Sequence, residues 1–377
     1  MKQTARIIST YSADVFGVCS ALYELGGMCV MHDASGCNST YSTHDEPRWY
    51  DIDSMVYISA LSEMEALMGD DEKLIGDVVR AAEELHPRFI AIAGTPIPTM
   101  TGFDFRAVAA LIEQRTGIPA FGFPTTGMNT YVHGASMALA AIAERFVSKR
   151  NVIPNGVNIL GLTPLDFSVN GSDRSVARYL EDSGFRVVSR WAMGCGLEEL
   201  FRAGAAQVNL VVSATGIGAA KVLQKKCGIP YVVGVPIGEK QKEMLAEALR
   251  DAVNTGESRV CRSEQAGDIA IIGEGVGSLA LATALALETG RGARVLCATE
   301  CDRSILRPGD AMTPDEDDII PALSGARTVI ADPLYKPICP PGTKFVSLPT
   351  EAFSGRIFRK QIPDLIADFE IIKKEVE

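Results

Sequence analysis

With 377 residues, 47% hydrophobic side chains and 35 glycines, the chain is long enough to bury several α/β cores. Its 36 basic and 47 acidic side chains give a formal charge of −11 without long blocks of either sign, which leaves a nucleic-acid or anionic-membrane partner without electrostatic support. Nine cysteines at irregular spacing, with no C-x-x-C, suit free thiols or metal ligands in a reducing compartment better than a disulfide framework.

The amino-terminal residues lead into no long apolar segment, and Asp14 to Tyr23 reads as a helix start with Asp14 near its positive end. Cys19 within it faces either the core or a cluster. Gly27 to Met31 predicts a short buried strand that carries Cys29 as core packing. Its exit, His32 to Tyr50, crowds a thiol, two imidazoles, carboxylates and a guanidinium together, and Gly36 and Cys37 sit in the turn where open α/β sheets bind ligands. Cys37 is the leading candidate there: as a thiolate it would ligate an iron–sulfur cluster or act as a nucleophile, and as a thiol it is a small buried side chain. His44, Asp45, Glu46 and Arg48 read as proton donors or substrate clamps, or else as a helix start capped by Thr43 or Asp45 with Pro47 in its first turn.

Further along, Phe89 to Ala93, Val157 to Gly161, Val208 to Val212 and Ile269 to Ile272 are apolar runs that each precede a turn and a helical pattern, the signature of βαβ units with parallel sheets. Thr116-Gly117-Ile118-Pro119 and Cys227-Gly228-Ile229-Pro230 both predict a helix stopped by glycine before a strand. Polar segments near 147–156 and 254–267 divide the chain into three Rossmann-like domains, 1–150, 151–262 and 263–377. Gly273-Glu274-Gly275-Val276-Gly277-Ser278 after a strand is a weak dinucleotide-binding signal, with Glu300 and Asp302 placed as ribose-binding acids; its third glycine comes one residue early. Val276 to Leu287 is too short to span a bilayer, so a cytoplasmic protein is expected. No G-x-x-x-x-G-K-[ST] occurs, which assigns any ATP hydrolysis to another subunit.

His32 to Cys37 resembles the strand-end turn that carries a cluster cysteine in nitrogenase component 1 subunits. Met68 to Ile75, Ile92 to Asp104, Val208 to Ser213 with Gly228-Ile229-Pro230, and Phe353-Ser354-Gly355 resemble further segments of that family in the same order. The resemblance implies three parallel-sheet domains of the nitrogenase component 1 type and a [4Fe-4S] cluster shared between subunits, with Cys37 as metal ligand, Cys19 or Asp14 as a second and Gly36 in the turn. It implies a homodimer or a heterotetramer with a similar subunit, an iron–sulfur ATPase resembling the nitrogenase reductase as electron donor, and a small-molecule substrate in the crevice among the domains. His32, His44 and Asp45, with Glu46 and Arg48, would then deliver protons or clamp substrate.

The departures from the family pattern are as specific. Two of its cluster-cysteine positions fall at Tyr11 and Thr95, its cofactor cysteine at Ser213 and its cofactor histidine near Pro349, so no molybdenum–iron cofactor is expected. In length the chain is closest to the tetrapyrrole-reducing members. Two other readings stay open: a cofactor-assembly scaffold without turnover, and a NAD-dependent oxidoreductase built on Gly273 to Gly277.

Overall fold

The computed structural model describes residues 5–7, 10–36 and 38–377, leaving aside the side chain of Ser42. The apolar runs become the inner strands of three parallel sheets. The first sheet contains β1 (Met28–Met31), β2 (Met55–Ile58), β3 (Ile90–Ala93) and β4 (Ala120–Phe123), in the spatial order β2-β1-β3-β4. The second contains β5 (Gly156–Leu160), β6 (Arg186–Arg190), β7 (Val208–Val211), β8 (Tyr231–Val233) and β9 (Arg259–Val260), ordered β6-β5-β7-β8-β9. The third contains β10 (Ile269–Gly273), β11 (Ala293–Cys297), β12 (Ala311–Met312), β13 (Thr328–Ala331) and β14 (Lys344–Ser347), ordered β12-β11-β10-β13-β14.

One topological rule repeats in all three. The chain enters each sheet on an inner strand, steps outward to one side, then returns past that strand to the other: β1 lies between β2 and β3, β5 between β6 and β7, β10 between β11 and β13. The crossovers on either side of that inner strand run in opposite directions, which opens a crevice at the carboxyl ends of the two central strands. The residues leaving those strands are His32 and Thr95 in the first sheet, Gly161 and Ser213 in the second, and Glu274 and Asp332 in the third.

Burial follows strand period. Cys29 and Met31 of β1 face the main core, whereas Met28 and Val30 face a smaller apolar layer with Leu74, Val78, Phe105 and Ile112. Helix Gly275–Thr289 is apolar almost all round because it is sheathed on nearly every side by neighbouring elements. Both predicted glycine stops are present: Gly117 (φ 70°) ends helix Phe105–Thr116 and Gly228 (φ 74°) ends helix Ile217–Cys227, each in the left-handed conformation that orphan carbonyls at a helix end favour. No helix begins at Pro47; residues 38–45 instead form an irregular helical turn that breaks at Thr43 and leads to extended Glu46. Among the described residues no helix is long and apolar enough to cross a membrane.

Helix Asp14–Leu22 lies directly against helix Tyr131–Phe146. A Cβ on Gly134 would fall onto the Asp14 carbonyl, and one on Gly17 onto the Tyr131 carbonyl, so the two backbones touch where only glycine permits it. This contact fixes Tyr131, which reaches from the first unit toward the second and third.

Candidate functional site

Two carboxyl-edge regions compete for function: the rim of the first sheet, and the crevice where the second and third sheets meet. Cys37, the leading candidate of the rim, lies outside the described residues. Gly36 beside it adopts φ 50° with open space where a side chain would be. Around it, Asp33 accepts from Asn38 Nδ2 (2.6 Å) and Thr95 Oγ1 (3.0 Å), tying the exits of β1 and β3 together.

The remaining rim candidates are held by their neighbours. Asp14 is buried and its two oxygens accept from the backbone N–H groups of Val15, Thr126 and Gly127 and from Asn129 Nδ2, at 2.8 to 3.1 Å, so it pins the 126–129 loop and is not free to ligate a cluster. Cys19 faces Cys29 in the core, and that thiol contact together with burial pushes its pKa up, the environment of a packing residue. Glu46 and Arg48 form a buried ion pair (2.7 Å), and the guanidinium also donates to Glu24 (2.9 Å), to the Ser20 carbonyl and to the Ala192 carbonyl, over the ring of Tyr23. They join the first unit to the second, and none of this network is left to clamp a substrate. His32 is buried against Phe103 with Nδ1 2.9 Å from Ser59 Oγ, and burial lowers its pKa to about 4, so at neutral pH it carries no proton to give as an imidazolium. His44 Nδ1 lies 3.1 Å from Thr43 Oγ1. Asp45 accepts from Tyr11 Oη (2.7 Å) and pairs with Arg356 (3.5 Å), while its carbonyl accepts from Arg359, which makes it a tie to the third unit. Among the described residues no group of three His, Cys, Asp or Glu side chains could hold a metal ion.

The crevice is built differently. Ser213, Glu274 and Asp332 each stand at the first turn beyond a central strand, and Asp166 follows β5 on a short helix, Pro164–Phe167. Asp166 accepts from the hydroxyls of Tyr131, Thr163 (2.8 Å) and Ser213, and burial raises its pKa. Ser213, itself fully buried, also accepts from Thr215 Oγ1 (3.0 Å). Glu274 caps helix Gly275–Thr289: Oε1 accepts from Val276 N and Ala214 N (both 2.9 Å), Oε2 from Gly277 N (2.7 Å). Three N–H donors favour its ionised form, yet burial, with nearby Asp166 second, wins and lifts its pKa to about 7. Asp332 accepts from Leu334 N, Thr350 N and Ser354 Oγ, and burial raises its pKa as well. These acids line a cavity of about 120 Å³ whose walls are otherwise mostly apolar, with the hydroxyl residues Tyr131, Ser172, Ser278 and Thr350 among them. Burial raises the proton affinity of all three acids, and only Glu274 is lifted as far as about 7.

The same geometry removes the dinucleotide reading of 273–278. The anion position at the start of helix Gly275–Thr289, where a pyrophosphate would sit, is filled by the chain's own Glu274 carboxylate. Gly275 is glycine for packing: a Cβ there would come 2.5 Å from Cys301 Sγ and 3.2 Å from Cys297 Sγ. Asp302, expected on a ribose, is paired with Lys221 at 2.6 Å. Sequence reasoning missed Asp166, Glu274 and Asp332 as a group. The available signal was an acid immediately after the central strands β10 and β13, the edge where ligands bind in such sheets.

Comparison with known proteins places this geometry in context. A family model described as nitrogenase component 1 type oxidoreductase matches residues 15–304. The nitrogenase iron-molybdenum cofactor biosynthesis protein NifE of Clostridium pasteurianum is 27% identical over 178 residues, covering 46% of this chain and 38% of that protein. One of the subunits of the light-independent protochlorophyllide reductase of Leptolyngbya boryana is 26% identical over 201 residues, covering 49% of this chain and 39% of its own. The chain thus spans about two fifths of the length of these curated relatives. A solved structure titled nitrogenase Cp1 at pH 6.5 superposes over 100% of this chain and 93% of its own with a TM-score of 0.71 at 17% identity, which shows a shared fold.

Proposed function

Because the chain belongs to the nitrogenase component 1 type oxidoreductase family, we propose that it is the substrate-bearing component of a two-part reductase, fed by an ATP-dependent iron–sulfur partner and reducing a small unsaturated molecule in the crevice between the second and third sheets. The observation that carries this reading is the set of buried acids, Asp166, Glu274 and Asp332, gathered around one apolar cavity. Reduction of an unsaturated bond consumes protons with electrons, and carboxyls whose proton affinity is raised by burial, Glu274 to a pKa of about 7, can supply them without admitting bulk water. Ser213, fully buried, donates to Asp166 and so supports one of the lining acids, with a hydroxyl where the family pattern has a cofactor cysteine.

The electron entry is assigned to the first unit. In this reading Cys37 supplies one thiolate to an iron–sulfur cluster, and a second subunit contributes the remaining ligands, as the family resemblance implies. Large apolar side chains stand exposed on that unit, Met100 at 86% and Met128 at 83% as well as Tyr50, Met64, Leu67 and Met68, which supports its association with a second copy or a similar chain.

The test is anaerobic purification and reconstitution with iron and sulfide, followed by mixing with an iron–sulfur ATPase of the nitrogenase reductase type. Bound iron that is lost in Cys37→Ala, with ATP-dependent turnover, supports the reading. Absence of iron, or unchanged iron in Cys37→Ala, overturns the cluster assignment. Iron retained without turnover would favour the scaffold reading that the NifE relative brings forward.

A further inference from the structure

Resting on the reading of the crevice as the substrate site, we propose that this site takes small uncharged or cationic molecules with an apolar body and one hydrogen-bond-donating end, and rejects carboxylates and phosphates. The lining is one-sided in charge. Asp166, Glu274 and Asp332 face the cavity, and among the described lining residues there is no lysine, arginine or histidine. Arg359, on the 355–361 segment that follows the lining residue Phe353, is held by Glu351 at 2.5 Å. An anionic ligand would enter a space walled by Val235, Ile237, Leu281 and Phe353 with no cation to meet it, against carboxyl groups that share its charge once ionised.

The polar capacity of the walls is also specific. Each carboxyl already accepts three donors from the protein. In the ionised form, with roughly four lone-pair positions, this leaves each about one for a donor on the ligand. Thr350, which also lines the cavity, has a buried Oγ1 with no partner among the described atoms. A buried hydroxyl left unsatisfied is costly, and a ligand carrying a single N–H or O–H relieves it. In size the cavity, about 120 Å³, falls slightly below the roughly 150 Å³ at which an apolar cavity takes up benzene. A tetrapyrrole, the substrate class of the family members closest to this chain in length, is far too large for this cavity.

Isobutylamine, isobutanol and isobutyrate are matched probes of this selection. Titrated into the full chain at about pH 8.5, above the Glu274 pKa of about 7 so that its carboxylate is charged while the amine stays cationic, without any electron donor and followed by ligand-observed NMR, isobutylamine and isobutanol are expected to bind, with isobutyrate weaker than the amine by about tenfold or more. Glu274→Gln and Asp166→Asn are each expected to weaken the amine by about fivefold while leaving isobutanol within about twofold, since they remove charge and keep shape. Near-ultraviolet circular dichroism confirms that the variants are folded, and the wild-type ratio stands without them. Equal or tighter binding of isobutyrate, binding of none of the three, or an amine preference that survives in both folded variants overturns the proposal. No step of the measurement needs iron or turnover. A chain that failed as a reductase would still give these ratios, and a working reductase that preferred isobutyrate would keep its activity assignment while losing this one.

Discussion

The rim of the first sheet and the crevice between the second and third are made by the same strand order, yet they spend their polar residues in opposite ways. At the rim, Asp14, Asp33, Asp45, Glu46 and Arg48 are consumed in ties between loops and between units. In the crevice, three carboxyls are hydrogen-bonded but face a cavity, and no cation neutralises them. Density of reactive residues in the sequence therefore marks where the units are fastened together, whereas the groups poised for chemistry are single acids at strand ends far apart in the chain. A charge matched by a fixed counter-charge is structural; a buried one matched only by hydrogen-bond donors has its proton affinity shifted and becomes available.

The sharpest way to break this comparison is to cut the rim network. Arg48→Met strands Glu46 and Glu24 without their guanidinium and should cost about 3–5 kcal/mol of unfolding free energy, read from denaturant midpoints. A loss below about 1 kcal/mol would mean that Arg48 is free for substrate after all. In the crevice the effect is a pH dependence. The folded state holds the Glu274 proton up to about 7 against an ordinary 4.5, so the stability this adds is complete below 4.5 and disappears as pH rises toward 7. Glu274→Gln should flatten that fall by ~1–3 kcal/mol, with Asp166 and Asp332, also raised by burial, keeping the remainder. An unchanged profile in the variant would move the stored proton elsewhere. Smaller still, Gly117→Ala places a side chain at φ 70° and should cost about 1 kcal/mol in thermal or chemical unfolding. Last, Cys19→Ala should leave iron content where it was in reconstituted protein, because its thiol faces Cys29 in the core; a drop matching that of Cys37→Ala would return Cys19 to the set of ligands.

The fold was largely legible because burial on both faces leaves a plain mark: Ile90–Ala93, Val208–Val211 and Ile269–Gly273 are continuous apolar runs, and Gly117 and Gly228 stop their helices as their sequence context predicts. Edge strands were not. Arg186–Arg190 is half polar, and Arg259–Val260 and Ala311–Met312 are two residues each, defined by a neighbour's hydrogen bonds more than by their own pattern. The site was legible only in part. Glu274 was hidden inside a glycine-rich turn whose glycines suggested a phosphate, though Gly275 serves packing against Cys297 and Cys301. Asp166 and Asp332 are lone acids in sequence, and only the meeting of two sheets brings them to one cavity. The rim misled for the converse reason, since a run such as His44-Asp45-Glu46-Pro47-Arg48 looks the same whether its charges meet a ligand or each other.

The claim that the crevice rather than the rim is the binding site is tested most directly by one probe on two acids. Isobutylamine affinity, measured by NMR titration, should fall by about fivefold or more in Asp166→Asn and by less than about twofold in Asp45→Asn. Loss in Asp45→Asn with Asp166→Asn unaffected would contradict the account and return the site to the rim.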